Sequence, residues 1–335
     1  MDFHHNHQKP TWGEKRYHSL DYHFKTTFGE KVYRLSLNGG MTCPNRDGHI
    51  STGGCIFCSA GGSGDFATSP MLSITEQIEE AKSRISAKTN CTKFIAYFQA
   101  YTNTYAPADY LRKIFSEAIH HPDIVALSIA TRCDCLPEDV LYLLEELNNI
   151  KPVWVELGLQ TIHAKTLSFI RSGFTLNQFN TAVYNLHEHG ISVITHLILG
   201  LPGETKDDML ASLSYVAKLP ISGLKLQLLH ILKGTDLETY YKSNPFWTFS
   251  LEEYCDFIVD CIELLPPDIV LHRITGDGPR NLLIAPLWST DKKRVLNTIN
   301  KRFTERDTWQ GKYYNMVTIQ SQGNFHKIQE FSLLK

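Results

Sequence analysis

Cys43, Cys55 and Cys58 lie in the stretch CPNRDGHISTGGCIFC (43–58), eleven residues separating the first two and two separating the last two. Three thiolates do not complete a structural zinc site, which takes four ligands, and they leave one over from a disulfide. A 4Fe–4S cluster has four irons, each usually held by one cysteine. Three protein thiolates then leave one iron to bind a small molecule, much as a catalytic zinc keeps an open position. A zinc knuckle completed by His49 or by a distant cysteine is the bland alternative, and the spacing alone leaves it open. Phe57 sets an aromatic face between the last two cysteines, and the glycines around them let backbone approach a cofactor closely.

The elements that must position this loop follow a regular rhythm. Strands are expected over 32–38, 93–99, 123–131, 152–160, 192–200 and 223–231, each dense in Val, Ile, Leu, Phe or Tyr. Helices are expected between them over 73–88, 106–121, 137–149, 175–190 and 205–219. Ser73 and Glu76 form a capping box for the first of these. Six β–α repeats predict a parallel sheet, flat or curled into a barrel, with ligands at the C-terminal strand ends. That rim collects the cysteine loop after the first strand, Gln99 at the second, Arg132 at the third, Glu156 and Gln160 on the fourth, and Gly200 at the fifth. Glu156 and Gln160 are four apart and so share a strand face. A glutamate in a covered strand is costly unless it is paired, here with Arg132, or bound to a ligand.

The 335 residues, 42% of them hydrophobic, suit one large α/β domain with extensions. The predicted division is an N-terminal extension (1–30), a core barrel (31–232) and a C-terminal extension (233–335) holding a helix over 250–265 and a strand over 268–276. A net charge of −2 announces neither nucleic acid nor membrane. No apolar run approaches the roughly 20 residues of a membrane span. Eight cysteines without a signal peptide point to a reducing compartment, so a cytoplasmic location is expected. The HHNH run at 4–7 reads as a solvated tail, and Cys255 and Cys261 read as core.

Together these residues resemble the radical S-adenosylmethionine (SAM) superfamily. Its usual loop is C-x3-C-x2-C; the wider first gap here is similar to the branch that contains the Elongator catalytic subunit. The YhcC/YtqA-type subfamily is closer still, on WGEKRYHSLDYHFKTTFGEKVYRLSLNGGMTCPNRDG, FQAYTNTYAP, SIATRCDCLPEDV, VWVELGLQTIH, HLILGLPGET and LHRITGDGPRNLLIAPLW, from about residue 12 to 312. The resemblance implies a partial (β/α)6 TIM-like barrel of the radical SAM type with a C-terminal α/β extension. It implies a 4Fe–4S cluster on Cys43, Cys55 and Cys58, with SAM bound through its methionine amine and carboxylate and cleaved to a 5′-deoxyadenosyl radical. Cofactor contacts are then expected from Phe57, Gln99, Arg132, Glu156, Gln160 and Gly200. In this reading Arg132 clamps the SAM carboxylate, the Glu156–Gln160 strand end meets the ribose and methionyl part, and LILGLPGET (197–205) runs beside the adenine. One departure stands out: Thr131-Arg132-Cys133-Asp134 replaces the expected TRPD, placing a thiol beside the rim with Cys135 two residues on. Both are read as ordinary buried cysteines, since a second cluster needs more ligands.

The run KKRVLNTINKRFTERDTWQGK (292–312) carries seven basic residues against Glu305 and Asp307. It reads either as a solvated amphipathic helix or as a phosphate-binding face in which Lys292, Lys293, Arg294, Lys301 and Arg302 contact substrate, with Trp309, Tyr313 and Tyr314 for stacking. Lys9, Lys15, Arg16, His18 and Lys25 could extend it. With the resemblance, the expected substrate is tRNA, the reaction a wobble-uridine side-chain modification of the carboxymethylaminomethyl to aminomethyl type, and the reductant a low-potential donor such as flavodoxin or ferredoxin. Two alternatives are a radical SAM enzyme acting on a small metabolite or tetrapyrrole, and a zinc-stabilised binding protein without catalysis.

Overall fold

The computed structural model describes residues 10–87, 89–276 and 278–314, so the HHNH run and Lys9 lie outside the described residues. In chain order the elements are α1 (Leu20–Phe28), β1 (Tyr33–Leu37), α2 (Ile74–Ile85), β2 (Phe94–Phe98), α3 (Ala108–His120), β3 (Ile124–Thr131), α4 (Glu138–Asn148), β4 (Val153–Gln160), α5 (Ala164–Phe169), α6 (Leu176–Glu188), β5 (Ser192–Leu199), α7 (Lys206–Val216) and β6 (Gly223–Leu228). A short β7 (Ile231–Leu232), α8 (Asp236–Ser243), α9 (Leu251–Glu263), β8 (Val270–Arg273), β9 (Leu283–Ala285) and α10 (Lys292–Glu305) follow. Every expected strand and helix forms, most of them trimmed by a residue or two at the ends. Four helices start on capping boxes, completed by Ser73, Thr175, Thr205 and Ser250.

One parallel sheet organises the chain, in the order β1-β2-β3-β4-β5-β6-β8. It is a curled half-barrel with helices packed outside, the radical SAM fold that the resemblance implies. The sheet has seven strands where six were expected, because the 268–276 segment pairs with β6 through Val270 and Leu271. Periodicity marks a strand but does not say which sheet edge it will join.

The interior of the half-barrel is layered. At its N-terminal end Ile95, Ala126, Trp154 and Ile194, from four adjacent strands, form an apolar cluster with Phe24 and Val32. Phe24 comes from α1, a helix not anticipated in the N-terminal extension, and stacks on Trp154 with ring centroids 5.8 Å apart. α1 therefore plugs one end of the barrel. Its composition gives a weak helix signal, with two threonines and four aromatic or imidazole rings in nine residues, and the Trp154 contact supplies what propensity lacks.

Candidate active site

Above the apolar layer, the inward positions of the strands turn polar. Glu156 on β4, 1% exposed, accepts from Tyr97 Oη (2.9 Å, β2), Ser128 Oγ (2.9 Å, β3) and His196 Nε2 (3.0 Å, β5). Its carboxylate is also ion-paired with Lys225 of β6 and with Arg34 of β1 at 3.3 Å. Arg34 donates in turn to His272 Nδ1 of β8 at 2.7 Å. Each strand of the seven-stranded sheet thus contributes one group.

The charges follow from this packing. Burial opposes ionisation of Glu156, but Lys225, Arg34 and His196 outweigh it and hold the carboxyl well below its usual range. Burial pushes the Lys225 ammonium down to about 7 against the pull of Glu156. Burial and the Lys225 charge push His196 down to about 4, so its imidazole is neutral at pH 7. Because a carboxylate only accepts, His196 Nε2 carries the hydrogen and Nδ1 is left as an acceptor.

The cysteine loop covers the C-terminal rim. Arg46 N and Asp47 N bond to Cys43 O, and Cys58 N to Cys55 O at 3.0 Å, folding the loop back on itself. The Arg46 guanidinium ties down the carbonyls of Cys58 (3.0 Å) and Ser59 (2.7 Å). Asn45 Nδ2 donates to Arg171 O (2.6 Å) and approaches Cys55 Sγ (3.5 Å). Burial pushes the Cys55 thiol up to about 11, so a metal must draw off its proton before it becomes a ligand. Gly62 and Gly64 are required here: a Cβ on Gly62 would fall 2.4 Å from the Tyr101 ring, and one on Gly64 2.4 Å from Ala100.

Between rim and polar layer lies a cavity of about 270 Å³. Cys43, Cys55, Cys58, Phe57, Gln99, Arg132, Glu156 and Gln160, eight of the residues expected from sequence, line it. Gly200 does not line it; its N–H bonds to Met209 Sδ at 3.1 Å, and β5 reaches the cavity through Ile198 and His196 instead. Nor does Arg132 pair with Glu156. It grips Asp134 with two bonds (2.9 and 2.7 Å) and Ser172 O (2.8 Å), while Glu156 takes its cations from β1 and β6. Cys133 and Cys135 turn from the rim and line a neighbouring hollow with Thr104, Tyr105 and Leu136. Sequence reasoning missed Lys225 and His196. Both are charged or polar residues in covered strands, the same signal that marks Glu156.

On α10, Arg302 is ion-paired with Glu252 (2.6 Å) and Asp256 (3.1 Å) of α9 and with Glu305 (2.8 Å). Arg306 is paired with Asp256 (2.7 Å) and Asp260 (2.6 Å). Much of the basic run is therefore neutralised by α9, and Arg302 belongs to a helix–helix contact. Lys292, Lys293 and Arg294 are exposed at the other end of the helix.

The cavity fits an iron–sulfur cluster with a small organic cofactor better than a lone zinc. Two thiolates on one zinc stand about 3.8 Å apart, whereas among the described residues the three sulfurs do not gather within 4.8 Å of one another. Gln160, held at φ 74°, has a buried Oε1 without a partner, which asks for a donor from a bound molecule. A half-barrel with three thiolates at its C-terminal rim and an unspent acceptor beside them defines a cluster-and-cofactor enzyme.

Comparison with known proteins agrees. Residues 45–216 match the model of the radical SAM superfamily, and residues 221–305 that of the Radical_SAM C-terminal domain. YtqA of Bacillus subtilis is 45% identical over 92% of this chain and 96% of its own length. A tRNA uridine(34) acetyltransferase of Dehalococcoides mccartyi is 26% identical over 57% of this chain and 41% of its own. The solved structure of Methanocaldococcus infernus Elp3, lacking N-terminal residues, superposes with a TM-score of 0.64 over 85% of this chain and 67% of that one, at 17% identity. The chain belongs to the radical SAM superfamily and, within it, to the YhcC/YtqA-type subfamily. Its cofactors are a 4Fe–4S cluster and SAM. No helix among the described residues is long and apolar enough to cross a membrane.

Proposed function

We propose that this enzyme remodels the side chain of a tRNA wobble uridine, converting a carboxymethylaminomethyl group to an aminomethyl group: the N–CH2 carbon is oxidised by two electrons, with SAM as the oxidant, and water then breaks the C–N bond and releases the two-carbon fragment as glyoxylate. The observation that carries this reading is the similarity, over half of the chain, to proteins named for acting on uridine 34 of tRNA. Cys43, Cys55 and Cys58 hold the cluster, and Phe57, Gln99, Arg132 and Gln160 bound the SAM beside it. When bound, cluster and SAM supply a carbon-centred radical able to take hydrogen from a substrate carbon. The chain's own residues do the rest. Arg132, fixed by Asp134, presents its guanidinium edge to a carboxylate. Gln160 accepts from the cofactor. Gln99 Nε2 donates to Ser63 O (2.8 Å) and pins the cysteine loop beside the cavity.

A base in an anticodon loop can be splayed from its stack into such a cavity. The exposed Lys292, Lys293 and Arg294 offer phosphate contacts for the surrounding RNA. A low-potential donor such as flavodoxin or ferredoxin delivers the electron, and the setting is the cytoplasm. Nucleoside profiling of tRNA from a strain deleted for this protein tests the reading. Accumulation of the carboxymethylaminomethyl nucleoside is expected. An unchanged profile overturns it and moves the substrate to a small metabolite.

A further inference from the structure

A barrel interior at this depth is ordinarily packed with Val, Ile and Leu. Here seven strands present Arg34, Tyr97, Ser128, Glu156, His196, Lys225 and His272 instead. Stability does not account for the choice, because a buried ion pair is on average no better than apolar residues of the same volume. Position does. Tyr97, Glu156, His196 and Lys225 form a wall of the cavity, below the level of the cysteines.

The wall is not electrically balanced. Arg34 and Lys225, the latter a cation below about pH 7, flank the single Glu156 carboxylate, and the Arg273 charge is felt at Lys225 as well, while both histidines are held neutral by burial and by these basic groups. Nor are its donors all used. Among the described residues Lys225 Nζ contacts Glu156 and the Tyr97 hydroxyl (3.2 Å), and an ammonium has three N–H groups. The third remains for whatever enters the cavity. Arg34 Nε is likewise buried without a partner.

We propose that Lys225 is the specificity-determining residue of a substrate subsite on the cavity floor, and that the group it takes is a carboxylate. Glu156 and Tyr97 are positioning residues: they hold the ammonium in place so that its remaining N–H points to the incoming group. The inference rests on the wobble-uridine reading above and deepens it, since a carboxymethylaminomethyl side chain ends in a carboxylate. The carboxylate of SAM is handled separately, at the rim beside Arg132, so the floor is left to the substrate.

The test measures binding to the anaerobic holoenzyme with SAM present, by equilibrium dialysis, using two matched pairs of probes. One pair is the nucleoside 5-carboxymethylaminomethyluridine against 5-methylaminomethyluridine, which lacks only the carboxylate. The other is sarcosine against dimethylamine, the same pair without the nucleoside. A charge-assisted hydrogen bond predicts that each carboxylate probe binds roughly tenfold or more tighter than its partner. Lys225→Gln should bring the ratio to within about threefold, and Lys225→Arg should restore part of it. Equal affinities within both pairs in the wild-type protein overturn the subsite whether or not the variants fold, as does a ratio that survives in Lys225→Gln. Lys225-dependent discrimination of sarcosine with neither nucleoside bound keeps the subsite and refutes the uridine reading. Binding of both nucleosides with equal affinity, without discrimination of sarcosine, does the reverse.

Discussion

Glu156 on the fourth strand and Lys225 on the sixth form an ion pair inside the half-barrel, each with 1% of its surface exposed. They are 69 residues apart in the chain, and His196 of the intervening strand donates to the carboxylate and feels the Lys225 charge. Removing Lys225 takes one charged hydrogen bond from the buried Glu156 carboxylate and leaves Arg34, at 3.3 Å, as its remaining cation. Lys225→Met in the apo protein is therefore expected to cost about 1.5–3 kcal/mol in denaturant unfolding. The double variant Glu156→Gln/Lys225→Met should cost less than the single one. A single variant within 1 kcal/mol of wild type would show that the pair does not form.

Iron content separates the two groups of cysteines. Alanine at Cys43, Cys55 or Cys58 should abolish the roughly four irons per chain expected of one cluster. Alanine at Cys255, a fully buried residue of α9 whose thiol faces Val295 O of α10, should leave iron intact and cost only packing. Full iron in all three loop variants, measured on anaerobically purified protein, would sink the ligand assignment.

The buried His196 makes stability fall in acid. Its folded value is pushed down to about 4, against about 6.5 when unfolded, so the unfolded chain binds more protons between those values. The contribution is fully present above pH 6.5 and is lost as pH falls toward 4, reaching ~3 kcal/mol at most. His196→Gln should flatten the apo protein's stability profile across that window. An equally steep profile in the variant would assign the acid sensitivity elsewhere.

The basic helix α10 divides into two ends with different expected effects. If its exposed N-terminal end tracks tRNA phosphates, replacing Lys293 and Arg294 with alanine should make the slope of log affinity against log salt shallower by roughly one to two units. Arg302→Ala breaks contacts to α9 and should show mainly as lost stability, with the slope unchanged. Filter binding at several salt concentrations reads both. A slope that responds to Arg302 and not to Lys293 and Arg294 would reverse the assignment.

The sequence by itself made the parallel β–α order and the three-cysteine loop legible, and left open whether the sheet curls and which metal group the loop takes. Covered parallel strands must be apolar almost throughout, so 123–131 and 152–160 announce themselves, and three cysteines within sixteen residues are local enough to read as one site. Their polar companions Gln99, Arg132 and Gln160 were legible too, because strand ends in such a sheet share one rim. Only the tertiary structure decided the partners. Nothing local indicates that Glu156 would choose Lys225 and Arg34 over the nearer Arg132, since the choice depends on which strands curl to face one another across the interior. The same holds for Phe24 meeting Trp154, for β8 joining the sheet edge beside β6, and for Arg302 being neutralised by α9. Each is a contact between segments distant in the chain, fixed by the closure of the sheet and the packing of helices on it, and periodicity carries no information about either.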